Sequence, residues 1–403
     1  MRRLDVRNLN QGQQLARAIY NERGEVLLNT GVEVTERFVQ LLLSRGISTV
    51  YVKEPGEEDV PPEDIVSERV RVAALTNIHK VFEVAARATA DLQGKNPDQI
   101  VSELRRPGAA KTSAADAATY ERMFHSVENI VDEVLTADTL PGLNSLKSHD
   151  NYTFCHSVDV SITALLLGKK LFLSRDQLKA LGMGCILHDV GKTLVELSIL
   201  NKPGRLDDDE FARIKAHPTI GFELLKAQMS GDVLPKHVAL QHHEHQNGGG
   251  YPRGLHGANK VARTASDQMD ANRIMLLAEI AAVADVYDAL ASDRSYRPGL
   301  APEQIVEIMS GMRGTHLNEE VLDTFFSVLP RYPVGIDFVV TAGRYAGFRG
   351  VVVATNKQVI DRPRIRLVYD DSGTRLSTPE ELDLVESPDT LISCVVGEAP
   401  VPA

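Results

Sequence analysis

A chain of 403 residues, 43% hydrophobic and 25% charged, has the composition of a soluble globular protein, and its length asks for two or three cores rather than one. Its 44 Lys and Arg against 55 Asp and Glu leave a net charge of −11, which excludes binding to a nucleic acid polymer or an anionic membrane through bulk positive charge. Three widely spaced cysteines, Cys155, Cys185 and Cys394, form no CxxC pair and no disulfide framework, so a reducing, cytoplasmic setting is expected.

The start, MRRLDVRNLNQGQQ, has no apolar run behind its basic residues, and the most apolar stretch, Ile274–Leu290, is broken by Glu279, Asp285 and Asp288. Neither a signal peptide nor a membrane span is expected. Residues 1–53 read as a small α/β module of regulatory type. β-like runs lie at Gln14–Tyr20 and Val26–Leu28, a helix at Thr35–Arg45 and a closing strand at Ser48–Val52. Residues 54–66 open with EPGEEDVPPED, three prolines among six acids, which reads as a linker.

Residues 67–140 read as connecting helices. Val70, Ala74, Ile78, Val81, Phe82 and Ala85 form one stripe over Ser67–Leu92. A loose stretch follows at Arg106–Ala118, and a second stripe (Met123, Val127, Ile130, Val131, Val134) runs over Tyr120–Leu135. These faces are expected to pack on the next domain, a dimer seam being the alternative. Helical periods dominate residues 141–330. Residues 331–403 switch to β-like runs at Phe338–Thr341, Gly350–Ala354 and Arg364–Tyr369, with a turn at Asp370–Gly373. The expected fold is mainly α: a helical bundle flanked by an N-terminal α/β module and a C-terminal β unit.

Nine of the twelve histidines fall between His149 and His256. Among them are His156, the pair His188–Asp189, His217 and the pair His242–His243, with Asp285 following. Imidazole and carboxylate are ligands for borderline divalent metals, no thiolate cluster competes, and facing helices of a bundle can project them inward. Leu178, Leu181, Cys185 and His188 share one helix face, so His188 ends an apolar stripe. Asp189, turned by about 100°, is placed to bridge two ions, and Lys192 returns to the face of His188 if the helix persists through Gly191.

The runs ILHDVGK (Ile186–Lys192), LNKPGRL (Leu200–Leu206), His217–Pro218, HHEHQNGGGYPRGL (His242–Leu255) and ADVYDALASDRSYR (Ala284–Arg297) together resemble the HD-GYP phosphodiesterases. These are the branch of the HD metallohydrolases that opens cyclic di-GMP. The resemblance implies His156, His188, Asp189, His217, His242, His243 and Asp285 as metal ligands, with Asp189 as the bridge. It places Lys192 on the scissile phosphate and Arg294 with Arg297 on the substrate phosphates. Gly250, Tyr251 and Pro252 would shape the substrate wall, a plain turn being the equal alternative.

Asp288 is expected to be structural, paired with Arg294. His237, His245 and His256 match no ligand position. Tyr152 stands where some members carry the Glu that supports a third metal, so two divalent ions are implied, with iron or manganese favoured over other transition metals. The segment 256–272 is longer than usual and reads as a solvated loop or a lid.

The implied reaction is attack of metal-activated water on the phosphodiester, giving linear pGpG and, by a second hydrolysis, GMP. A catalytically silent cyclic di-GMP sensor and a phosphodiesterase for a mixed cyclic GMP–AMP dinucleotide are the alternatives. A homodimer or a signalling-protein partner would supply the regulatory input.

Overall fold

The computed structural model describes residues 2–21, 25–45, 47, 49–53, 64–110, 113–137, 152–202, 204–264, 266–267, 270–292, 299–356 and 358–395. Three larger hydrophobic cores organise them. The first gathers Val6, Leu15, Ile19, Leu42, Val50 and Val52. Its sheet is antiparallel in the order β1 (Arg2–Asp5), β5 (Thr49–Lys53), β2 (Gln14–Leu15), beside a hairpin of β3 (Ile19–Tyr20) and β4 (Val26–Leu28). Helix α1 (Glu36–Ser44) starts at the Thr35 hydroxyl and contributes Leu42. The single run expected over Gln14–Tyr20 is two strands, because the chain bends between them so that β2 pairs with β5 and β3 with β4.

The second core runs from Val66 to Leu329. Helices α2 (Glu68–Ala88), α3 (Pro97–Leu104) and α4 (Ala114–Val134) join it, packing on α5 (Tyr152–Lys170), α6 (Arg175–Leu187) and α9 (His217–Gln228). Both expected stripes are buried here, against the bundle. α4 begins six residues earlier than its stripe suggests, because Ser113 and Asp116 form a capping box. α3 arises where no helix was expected, started by an Asn96–Gln99 capping box with Pro97 in the first turn. Of the expected linker, residues 54–63 lie outside the described residues. Asp64 pairs with Arg17 at 2.8 Å and Val66 is fully buried, so the packed unit begins before Ser67.

Short α7 (Leu197–Leu200) and α8 (Asp208–Lys215) lead into α9. α10 (Leu234–Gln241) packs on α6 and α9, and α11 (Leu276–Ala291) on α5, α6 and α10. α12 (Pro302–Gly311) and α13 (Glu319–Val328) close over α11. The first part of the 256–272 segment is neither lid nor solvated loop. His256 shares backbone hydrogen bonds with Asn272 and Ile274, Arg263 pairs with the buried Glu279, and Asn259 takes the Gln246 side chain and Gly314.

The third core lies under an antiparallel sheet ordered β10 (Leu391–Cys394), β6 (Asp337–Ala342), β7 (Arg349–Ala354), β8 (Arg364–Tyr369), β9 (Arg375–Asp383). β9 and β10 went unexpected because they are edge strands. β9 is mostly exposed, so its polar residues show no alternation. No helix of the described residues is long and apolar enough to cross a membrane.

Candidate metal centre

Three of the candidate histidines sit where a helix stops, and that position orients their rings. The last carbonyls of a helix have no partner inside it. His188 caps α6 and its Nδ1 meets the Cys185 carbonyl at 2.6 Å. His217 follows the end of α8 and meets the Ile214 carbonyl at 2.7 Å, while His242 caps α10 and meets the Ala239 carbonyl at 2.9 Å. A carbonyl only accepts, so each Nδ1 carries a proton and each ring turns Nε2 inward. His156, within α5, is held differently: its Nδ1 lies 2.6 Å from Asp288 Oδ2 on α11.

The inward atoms converge. His156 Nε2 is 3.0 Å from Asp285 Oδ1, and His217 Nε2 is 3.2 Å from His242 Nε2. Asp189 lies between the groups, Oδ1 3.3 Å from His217 Nε2 and Oδ2 3.4 Å from His188 Nε2. The His243 ring lies 4.1 Å from that of His242, tilted by 44°, and meets His217 edge-on at 5.1 Å. Three sets have all their ligand atoms within 4.8 Å of one another: His217, His242 and His243; His156, His188 and Asp189; His188, His242 and Asp285.

These residues fit divalent cations on the structure's own terms. His188 Nε2 and Asp189 Oδ1 are buried with no hydrogen-bond partner, an arrangement that is costly unless a cation takes the lone pairs. The facing Nε2 atoms of His217 and His242 cannot satisfy each other when both Nδ1 atoms hold the protons.

The electrostatics agree. Burial, aided by neighbouring imidazoles, pushes His242 well below the ordinary histidine range and His243 to about 3, and burial also lowers His217, so these rings are neutral ligands. Burial opposes charge on Asp189 and Asp285, but His188 and Lys192 outweigh it for the first and His156 for the second; both stay ionised. His156 is the exception: Asp285 and Asp288 overcome burial and raise the imidazole to about 9, so a cation bound there would have to displace its Nε2 proton.

Lys192 does not return on a continuing helix. α6 ends at Leu187, and a 3₁₀ turn over Val190–Leu194 brings Lys192 Nζ to 2.6 Å from Asp189 Oδ2 instead. Gly191 makes that turn possible: an added Cβ would lie 2.1 Å from the His217 carbonyl oxygen. The Gly-rich loop follows the double histidine closely. At Gly250 a Cβ would lie 2.3 Å from the His245 nitrogen. Tyr251 stacks on His243 at 4.8 Å with the planes 28° apart. Burial, then Asp189 and Asp285, raise its phenol, which stays neutral.

Asp288 pairs with His156. Arg294 and Arg297 lie outside the described residues, as does the side chain of Tyr152. His237 packs at a tilt against Phe222 and His245 against His316, and His256 is exposed; none enters the cluster. Asp288, one turn after Asp285 on one face, was expected to be structural, and it braces the His156 ring. Glu244, whose carboxylate holds the Gly-rich loop, escapes sequence reasoning, with no signal beyond adjacency to the double histidine.

The HD domain family matches residues 153–290. A cyclic di-GMP phosphodiesterase of Pseudomonas aeruginosa is 30% identical over 371 residues, 90% of this chain and 81% of its own. A cyclic di-GMP phosphodiesterase response regulator of Xanthomonas campestris pv. campestris is 29% identical over 295 residues, 73% of this chain and 70% of its own. A 3'3'-cGAMP-specific phosphodiesterase of Vibrio cholerae is 33% identical over 179 residues, 44% of this chain and 38% of its own. With the HD pair at His188–Asp189, the Gly250–Tyr251–Pro252 signature and a relative 30% identical over most of both chains, the chain belongs to the HD-GYP phosphodiesterase family of the HD metallohydrolases.

Proposed function

We propose that this chain hydrolyses cyclic di-GMP to linear pGpG by metal-dependent phosphodiester cleavage. The observation that carries the reading is the convergence of His156, His188, Asp189, His217, His242, His243 and Asp285, with Lys192 at the edge. These seven would hold two divalent ions, iron or manganese by family resemblance. Asp189 would lie between the ions, since its two oxygens face His188 and His217, members of different triads. Ions held there supply Lewis-acid polarisation of the phosphoryl oxygens and a water nucleophile at neutral pH.

The chain's own groups do the rest. The carbonyls of Cys185, Ile214 and Ala239 and the Asp288 carboxylate keep the four rings aimed inward. The Lys192 ammonium, partly open to solvent, neutralises charge growing on the scissile phosphate. Phosphoryl transfer asks mainly for such positioning and charge stabilisation. Arg294 and Arg297 bind the remaining phosphates as forked donors, which reconciles an acidic protein with an anionic substrate. The Gly250–Pro252 loop walls the site beside His243.

The test is hydrolysis of cyclic di-GMP by protein purified without oxygen, with metal counted, beside His188→Ala and Asp189→Ala. Linear product, about two metals per chain and loss of activity in both variants are expected. Bound metal and bound cyclic di-GMP without turnover would replace the enzyme by a sensor. The 3'3'-cGAMP-specific relative favours a second substrate reading. Faster cleavage of a mixed cyclic GMP–AMP dinucleotide in the same assay would establish it.

A further inference from the structure

Four of the five clustered imidazoles have an anchored Nδ1. His243 is the exception: among the described residues its ring has no hydrogen bond, and its face rests on Tyr251 at 4.8 Å. What holds Tyr251 therefore decides where the His243 ring points. Tyr251 lies in an irregular loop, and the base of that loop is fixed by one side chain.

Glu244, the residue after His243, turns inward and is 3% exposed. Its Oε1 accepts the Arg253 N–H at 2.7 Å and its Oε2 accepts the Leu255 N–H at 2.8 Å, while no cationic side chain pairs with it among the described residues. Two backbone donors and two carboxylate oxygens match, and charge-assisted bonds of this kind are the stronger ones. A glutamine would offer one acceptor and set its NH₂ against the second donor. On the other side Gly250 lies flat on the backbone of His243–His245, where any side chain would collide, and the Tyr251 N–H reaches the His243 carbonyl at 3.1 Å. The loop is clamped from both sides, with the tyrosine ring between.

We infer that Glu244 is a positioning residue, whose carboxylate clamps the signature loop so that Tyr251 lies on His243 and fixes the cluster's one imidazole without a hydrogen-bonded anchor. The inference deepens the proposed phosphodiesterase reading and rests on it for its kinetic arm alone.

The experiment compares the full-length protein with Glu244→Gln, Tyr251→Ala, the double variant and Gly250→Ala. Glu244→Gln is expected to speed amide exchange in residues 248–255, weaken cobalt(II) binding about 10- to 100-fold and lower kcat/KM about 100-fold. Because Glu244 acts through Tyr251, the double variant is expected to be no worse than the poorer single one. Should Glu244→Gln fail to fold, Gly250→Ala displaces the same loop from its other face and must give the same losses, again not additive with Tyr251→Ala. Unchanged exchange, unchanged cobalt(II) affinity, or losses that multiply in the double variant would each overturn the assignment. If the native protein leaves cyclic di-GMP intact, the functional reading falls, while exchange and cobalt(II) binding still decide the role of Glu244.

Discussion

His156 differs from the three histidines at helix ends because its anchor is a side chain on another helix, Asp288 at 2.6 Å. A carboxylate behind a ligand imidazole fixes the ring and raises its basicity, and losing such a partner costs about 10- to 100-fold in metal affinity. Asp288→Asn is therefore expected to weaken divalent binding by about that factor while the chain stays folded, measured by titration against a competing chelator; unchanged affinity would leave Asp288 a purely structural contact. The seven converging side chains were legible in the sequence because their types and their link to the HD and Gly-Tyr-Pro motifs mark them. The partners of those side chains were not. Whether a second carboxylate one turn after Asp285 binds a ligand, an arginine or nothing depends on how α11 lies against α5, a tertiary fact with no local signature. The reach of Lys192 was left open for a related reason. It depends on where α6 ends, and the end at Leu187 sends the lysine onto Asp189.

Two elements meet closely where the 3₁₀ turn after Asp189 touches α9. Gly191→Ala forces a methyl to within 2.1 Å of the His217 carbonyl oxygen, backbone that cannot yield cheaply. A loss of roughly 1–3 kcal/mol or more is expected, read as a lower urea midpoint, together with weakened metal binding as Asp189 and His217 separate. The strut at residues 256–264 makes a second case. Arg263 faces the buried Glu279, which Gln246 and Asn318 also contact. Arg263→Met leaves that carboxylate with less compensation and is expected to cost roughly 3 kcal/mol at neutral pH.

Burial already raises Glu279 above its ordinary value against the pull of Arg263, so removing the arginine raises it further. An acid raised in the folded state costs stability above its folded pKa and less as pH falls through it. The deficit should thus be larger at about pH 8 than at about pH 5. A deficit independent of pH would point to lost packing instead. At this scale the apolar stripes of α2 and α4 were readable because periodicity tracks burial. β9 was not, because an exposed edge strand needs no pattern.

Across the whole molecule, the N-terminal module has its own core, and among the described residues Arg17 on Asp64 and Tyr20 on Glu68 join it to the helical unit at the start of α2. From there α2 reaches the metal centre by two routes. Arg71 pairs with the buried Asp159, one turn beyond His156 on α5. Past its far end, Gln93 donates to the Thr193 carbonyl at 3.0 Å, next to Lys192. These contacts form a path along which a change in how the module holds the start of α2 is expected to reach a candidate ligand and the candidate phosphate-binding lysine. Sequence patterning placed these helices between module and site, but the contacts that couple them join residues far apart in the chain. Deleting residues 1–60 removes Arg17 and Tyr20 and leaves the second core whole, so the truncated protein is expected to melt cooperatively. Its kcat/KM for cyclic di-GMP is expected to change at least about fivefold, the lower range of coupling between sites. Steady-state kinetics and sedimentation of the truncated and full chains decide it: identical values in both would mean that the module does not act on the metal centre through α2.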